Sequence, residues 1–316
     1  MKNLLIAALL VAAVAQPAAA GHLVTPPGYS LSEVSFTGFV GGFDIAPNGS
    51  FIVLENQALN EITPGGSFVR NLYTFESFVY GSFVRVDAAG GKVFFGESSN
   101  GWIRSVGLDG SSPTDVARVP LNYDFALNGL GQPFVVAGSA VYLLGAAGPD
   151  QIVSASGASG PLGFDADGNL YYGTASSVWG EIGGQAIVRW TAAQVAGAVG
   201  PGVLTVADGV KLLDDIDGPS GLAVDPSGLY FTSSVQYPGQ VLRYAGGAAS
   251  VVTTADPAAG YSWLTTIRTN PATGAISVLV GTFSETTIST VTPVPEPASL
   301  AALALGLGAT LLRRRR

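Results

Sequence analysis

Gly221-Leu222-Ala223-Val224-Asp225-Pro226-Ser227-Gly228-Leu229-Tyr230-Phe231 decides the fold: an apolar strand, a tight acidic turn carrying Gly, and a second apolar strand. The unit recurs. Phe43-Asp44-Ile45-Ala46-Pro47-Asn48-Gly49 leads into Ser50-Phe51-Ile52-Val53, and Gly163-Phe164-Asp165-Ala166-Asp167-Gly168-Asn169 leads into Leu170-Tyr171-Tyr172. Further copies surround Gly90 and Gly274, and a weaker one surrounds Gly131, so the anchors fall at 49, 90, 131, 168, 228 and 274, spaced by 41, 41, 37, 60 and 46 residues. The anchor Gly supplies the positive φ that a two-residue hairpin turn needs. A third apolar strand ending in a polar turn follows most units, as in Trp102 to Gly110 and Gln240 to Gly247. Four short strands in about 40 residues is the period of a propeller blade.

The expectation is therefore an all-β chain: a six-bladed β-propeller of four-stranded blades over residues 21–292. The strand around Ser30 to Phe36 has no blade of its own, so it is expected to supply the outer strand of blade six and remove an open edge. A β-solenoid or β-sandwich is the competing architecture. The 60-residue gap is read as an insertion between Gly180 and Gly218. Within it Thr191-Ala192-Ala193-Gln194-Val195-Ala196 reads as a capped short helix, and a cramped seventh blade is the alternative there.

The repeat style, with Val241-Leu242-Arg243-Tyr244 following the fifth unit, resembles NHL-type propellers and gluconolactonase-like calcium propellers. The second resemblance implies a channel metal held by Glu, Asn and Asp. This chain departs from that pattern. Ser220 stands where the ligand Asn is expected, and Ser233 and Ser234 stand where the ligand Asp is expected. A hydroxyl is a weak neutral ligand for a hard cation.

The chemical inventory is thin. There is no Cys, which removes disulfides and thiolate sites, and the one His, His22, is read as an inert residue of a frayed terminus. Ser-His-Asp and Cys-His catalysis go with it. Asp165-Ala166-Asp167-Gly168-Asn169 has calcium-loop spacing, making Asp165, Asp167 and Asn169 the candidate Ca²⁺ ligands, but Ser176 stands where an EF-hand needs Glu. Asp and Asn also suit a hairpin turn. Asp214, Asp215 and Asp217 form the densest acidic cluster and read as a solvated loop. Glu55, Glu97 and Asp124 sit near the ends of inner strands and are candidates to rim the channel, with no sequence argument that makes them converge. Trp102, Trp179, Trp190, Tyr237, Tyr261 and Trp263 are candidates to stack on sugars, with packing between blades the stronger expectation for each.

Both termini carry targeting patterns. Lys2, the apolar run Leu4 to Val14, and Ala18-Ala19-Ala20 before Gly21 form a secretory signal peptide over residues 1–20, with Ala18 and Ala20 as the small residues ahead of cleavage at Gly21. At the other end, Val294-Pro295-Glu296-Pro297-Ala298-Ser299-Leu300, an uncharged run to Leu312 and Arg313, Arg314, Arg315 and Arg316 resemble the PEP-CTERM sorting signal, assigned here to 293–316. The resemblance implies handling by an exosortase at Pro295, Glu296 and Pro297 in a Gram-negative cell. It also implies transient anchoring in the inner membrane, and then residence at the cell surface or in the exopolysaccharide matrix. The fifteen uncharged residues reach roughly 22 Å as a helix, short for a hydrocarbon core of about 30 Å, and the Arg cluster should stay cytoplasmic. An ordinary tail anchor is the alternative.

The whole chain carries a formal charge of −8; without Lys2 and the four terminal Arg, 9 basic groups face 22 acidic ones. Such a surface excludes nucleic acid as a partner. The sequence thus points to an exported binding or scaffold propeller for extracellular polysaccharide or a surface protein, not an enzyme and without a required cofactor. A calcium-dependent lactonase or esterase is the alternative.

Overall fold

Short apolar runs bounded by turns become strands buried on both faces. In Phe51–Glu55, Phe51 and Val53 pack toward one neighbouring sheet while Ile52 and Leu54 pack toward the other. Sheets stacked face to face need no polar side, which is why these strands lack strict alternation. The computed structural model describes residues 22–294 apart from 179, 201, 234–236, 283 and 284. The signal peptide, the sorting residues from Pro295 onward, Trp179 and Ser234 lie outside the described residues.

Six sheets form six blades. Counting β1 as Tyr29–Phe36, blade one is β2(Val40–Ile45), β3(Phe51–Glu55), β4(Ala58–Ile62) and β5(Phe68–Thr74). Blade two is β6(Gly81–Asp87), β7(Lys92–Glu97), β8(Trp102–Gly107) and β9(Thr114–Arg118). Blade three is β10(Asn122–Leu127), β11(Pro133–Ala137), β12(Ala140–Gly145) and β13(Gly148–Ser154). Blade four is β14(Leu162–Phe164), β15(Leu170–Gly173), β16(Gln185–Trp190) and, after α1(Ala192–Ala198) and β17(Leu204–Thr205), β18(Val210–Ile216). Blade five is β19(Pro219–Asp225), β20(Gly228–Ser233), β21(Gln240–Ala245) and β22(Ala248–Thr254). Blade six is β23(Trp263–Asn270), β24(Ala275–Gly281) and β25(Thr286–Pro293), completed by β1. The innermost strands touch in ring order, β2 to β6, β10, β14, β19, β23 and back to β2.

The ring closes as the sequence implied. β1 pairs antiparallel with β25 from Tyr29↔Pro293 to Phe36↔Thr286. Among the described residues, six apolar clusters fill the six gaps between blades. Phe83, Phe94 and Phe125 stack between blades two and three at 5.0 and 5.1 Å. Each buried ring of this size contributes about 1.5–3 kcal/mol.

Four expectations are refined or corrected. The insertion makes no seventh blade. Its helix α1 begins at Thr191 with a capping box to Gln194, and β17 then adds in parallel to β13, covering the outer edge of blade three. The hairpins at Gly49, Gly131 and Gly168 are three-residue loops, in which the amide of the Gly donates three residues back, to Ala46, Asn128 and Asp165; Gly then takes the left-handed position after a type I turn. In blade two that position belongs to Gly91, at φ 65°, and not to Gly90. His22 is not frayed. Its carbonyl accepts from the Asp256 amide, Leu23 bridges Ala255, and its Nε2 sits 2.9 Å from Glu285 and its Nδ1 3.6 Å from Glu33. Two carboxylates and a bridge hold it between blades five and six.

Candidate functional site

Charged residues in the middle of innermost strands are costly unless paired, and four of them meet across the channel. In ring order β23, β2, β6 and β10 contribute Arg268, Asp44, Arg85 and Asp124, so the signs alternate. Arg268 Nε lies 3.2 Å from Asp44 Oδ1, and Arg85 Nη2 lies 3.1 Å from Asp124 Oδ1. Each Asp also staples two strands. Asp44 accepts from the amides of Ile45 and Val86 at 2.8 Å each, and Asp124 from those of Phe125 and Leu162 at 2.9 and 3.0 Å. The guanidiniums reach further round the ring, Arg85 to the carbonyl of Phe125 and Arg268 to that of Val84. Burial pushes both Asp carboxyls up from their ordinary range, opposed by Arg85 and by the amides they accept from. The girdle is neutral in sum, and both oxygens of each carboxylate are engaged.

We call the face where the innermost strands begin the top. Above the girdle the channel opens there into a cavity of about 230 Å³ lined by Tyr123, Asp124, Ser220, Trp263 and Arg268 among others. Beside it, and sharing Tyr123, Ser220 and Trp263, lies a cleft of about 370 Å³ bounded by Tyr261 on one side and by Val178 and Glu181 on the other. Burial pushes the Tyr123 phenol up, and its hydroxyl donates to the Ser220 carbonyl at 2.9 Å. Tyr237 and Tyr261 stack at 6.0 Å with planes 15° apart, and Trp263 follows at 6.4 Å. Across the mouth, Phe39 and Phe78 meet Tyr80 edge-on at 6.1 and 4.9 Å. Tyr80, Tyr237 and Tyr261 are 57, 48 and 40% exposed.

The sugar-stacking candidates therefore divide. Trp190 is core, its Nε1 donating to the Thr205 carbonyl. Trp102 lies against Arg104 and Arg118 on blade two. Tyr237, Tyr261 and Trp263 come together at the mouth. Of the three rim candidates, Asp124 lies on innermost β10 and lines the channel cavity, while Glu55 and Glu97 end β3 and β7, the second strands of their blades, outside that lining. Glu97 is buried against Arg104 and Asn100. Asp165 closes an Asx turn, accepting from the amides of Asp167 and Asn169, the Asn169 side chain and the Tyr171 hydroxyl. Burial pushes the Asp165 carboxyl up, but these donors outweigh it and hold it below its ordinary range. Asp214 pairs with Lys211, while Asp215 and Asp217 accept from the amides of Gly184 and Gly183. Ser220 Oγ donates to the Leu264 carbonyl and lies 3.1 Å from Thr232 Oγ1. Among the described residues no three His, Cys, Asp or Glu gather as a metal set.

Sequence reasoning missed Asp44, Arg85 and Arg268, and the aromatics Phe39, Phe78 and Tyr80. The signal for the first three was present: a lone charge inside Val84-Arg85-Val86, Ile267-Arg268-Thr269 and Phe43-Asp44-Ile45. The aromatics sit in irregular loops and left no pattern.

Residues 293–316 match the PEP-CTERM protein-sorting motif. That motif implies export and surface sorting, with exosortase processing and transient membrane anchoring before release. No curated protein matches the chain. Among solved structures the chain is similar to a glucose dehydrogenase (12% identity, 83% of this chain and 98% of that one, TM-score 0.61). It is also similar to virginiamycin B lyase from Staphylococcus aureus (12% identity, 84% and 99%, TM-score 0.54). A chain of a nidogen/laminin complex is a third (11% identity, 71% and 82%, TM-score 0.54). At such identity the likeness is one of fold. Among the described residues no helix is long and apolar enough to cross a membrane; the run 298–312 lies outside them.

Proposed function

We propose that the chain is an exported propeller displayed at the cell surface or in the extracellular matrix, where it binds polysaccharide or a surface protein through the top mouth of its channel and carries out no chemistry of its own. The observation that carries this reading is the contrast at that mouth. The charged groups beneath it are tied into the Asp44–Arg268 and Asp124–Arg85 pairs, while aromatic rings on two sides of the opening stand in solvent. Exposed apolar patches of this kind mark interaction surfaces. The same fold occurs in a nidogen/laminin complex and in enzymes, so the fold itself favours neither role.

The competing reading, a calcium-dependent lactonase or esterase, would draw on Asp124 with Glu55 and Glu97, whose carboxylates stand apart. Calorimetry of the purified chain with calcium separates the two. The binding reading expects no heat of binding, no lactone or ester hydrolysis above buffer, and capture of matrix polysaccharide or a surface protein. Calcium binding together with hydrolysis lost on Asp124→Asn would overturn it.

A further inference from the structure

The chain leaves the ring on the side away from the aromatic mouth. β25 runs from the top to the bottom of blade six, and its last residue, Pro293, pairs with Tyr29 and stands beside the bottom-face turn at Gly274. The Val294 amide donates to the Gly28 carbonyl at 2.8 Å, fixing the start of the sorting motif there. β25 has eight residues, and strands of that length span roughly 26 Å. While the motif is held at a membrane, the bottom face is near the lipid and the mouth points outward.

From this geometry we infer that the cleft between Tyr261–Trp263 and the loop bearing Val178 and Glu181 is a binding site for an uncharged polysaccharide, presented away from the anchoring membrane. The inference rests on the binding reading above and names its ligand class and subsite. A pyranose ring has an apolar C–H face and an edge of hydroxyls. The cleft matches both: a wall of Tyr261 and Trp263 rings, with Tyr237 stacked on Tyr261 outside the lining, and a floor and far side carrying Tyr123, Ser159, Ser176, Glu181 and Ser220. Its volume of about 370 Å³ falls within the range of small-ligand sites, roughly 300–1,000 Å³.

Charge selects among polymers. Glu181 is the one formally charged residue among the described lining residues, and the chain as a whole is at −8. An anionic polysaccharide meets repulsion and finds no cation to pair with. Lipid is excluded by the exit of the motif on the opposite face. A protein segment would lose little by the same charge argument, but the cleft presents ring faces and hydroxyls rather than a strand edge to extend.

The test is affinity electrophoresis of the full chain in mild detergent, in native gels cast with hydroxyethyl cellulose, dextran or galactomannan as neutral probes and alginate as the anionic one. Retardation in at least one neutral gel is expected. Tyr261→Ala should weaken it about fivefold to tenfold, the scale of one lost aromatic contact, and Tyr261→Phe should restore it. Tyr237→Ala, which removes the ring stacked on Tyr261, should weaken it in the same direction by about twofold. Phe68→Ala, exposed on β5 of blade one, should leave it unchanged. Because Tyr237 and Tyr261 sit on separate loops, a folding defect in one variant leaves the other to decide. Retardation by alginate alone, or retardation untouched by both Tyr variants, overturns the cleft and leaves the binding reading standing. Capture of a surface protein that depends on Tyr261 overturns the glycan assignment. Calcium-dependent hydrolysis with no capture at all overturns both.

Discussion

The two faces of the ring are built on different rules. At the bottom, the hairpins that join first and second strands repeat one local device: a side-chain carbonyl or carboxylate of Asn48, Asp87, Asn128, Asp165, Asp225 or Asn270 accepts from an amide two or three residues on. Each turn satisfies its own polar groups, so neighbouring turns need not touch. At the top, loops differ in length and composition from blade to blade. There the innermost strands crowd together and the residues that matter come from different blades. The bottom is a set of six independent solutions to one local problem, and the top is a single cooperative arrangement.

The largest test of that contrast lies in the girdle just below the mouth. Arg85→Met leaves the buried Asp124 carboxylate without its guanidinium and should cost about 3–5 kcal/mol, read as a drop in the urea midpoint. Adding Asp124→Asn removes the unpaired charge but keeps an acceptor for only one of the Leu162 and Phe125 amides, which bond to different oxygens of Asp124, and should recover part of the loss. A single-variant cost near zero would mean that the blades do not depend on one another through the channel.

Glycines sharpen the same comparison at a smaller scale. Gly221, at the top of β19, would place a Cβ 1.9 Å from the Thr265 carbonyl oxygen of the next innermost strand. Gly221→Ala should therefore cost about 1–3 kcal/mol or more, through forced separation of two blades. Gly131, at the bottom, has no atom within 4 Å of its would-be Cβ but sits at φ 73°. Gly131→Ala should cost about 1–2 kcal/mol, from backbone strain alone. Thermal melts of the two variants test the order; a larger penalty at Gly131 would reverse the assignment of crowding to the top.

The smallest effect concerns pH, and its sign differs between the regions. Glu61 lies near the bottom of blade one. Burial pushes its carboxyl up, but donors from Asn48 and Arg70 outweigh this and hold it below its ordinary range. Its contribution is present above the ordinary value and is lost as pH falls through the lower folded value. Asp44 and Asp124 behave oppositely: with raised folded values, their share is complete below the ordinary value and is lost as pH rises through the raised one. Glu61→Gln should flatten the acid limb of the stability curve by about 1 kcal/mol, whereas Arg85→Met/Asp124→Asn should flatten the limb just above the ordinary carboxylate range. Denaturation midpoints taken across acidic pH decide between the two signs; the same limb flattened by both variants would refute the division.

Much of the fold was legible because its signals are local. Gly49, Gly131 and Gly168 mark turns that only a positive φ completes, and the spacing of the anchors counts the blades. The capped short helix starting at Thr191 was visible as such, because a cap needs only a few adjacent residues; the capping box to Gln194 came from the structure. The unpaired strand before blade one was readable because a ring with an odd strand left over closes by lending it to the last blade. The site was less legible. Nothing within Phe43-Asp44-Ile45 says that its carboxylate meets Arg268, more than two hundred residues away, and Glu97 resembles a channel residue until its strand is known to be second in its blade.

The sequence by itself determined the blade period, the closing strand, where the turns fall and the presence of a sorting motif, since each depends on residues a few positions apart or on a period counted along the chain; it left a seventh blade and the length of each turn open. Only the tertiary structure decided that four charges alternate round the channel and that Tyr237, Tyr261 and Trp263 share one wall. It alone placed β17 along blade three, and Pro293 and Val294, where the sorting motif starts, opposite the mouth. These depend on which strand lies innermost and on where each strand ends, and both are set by the packing of whole blades against one another.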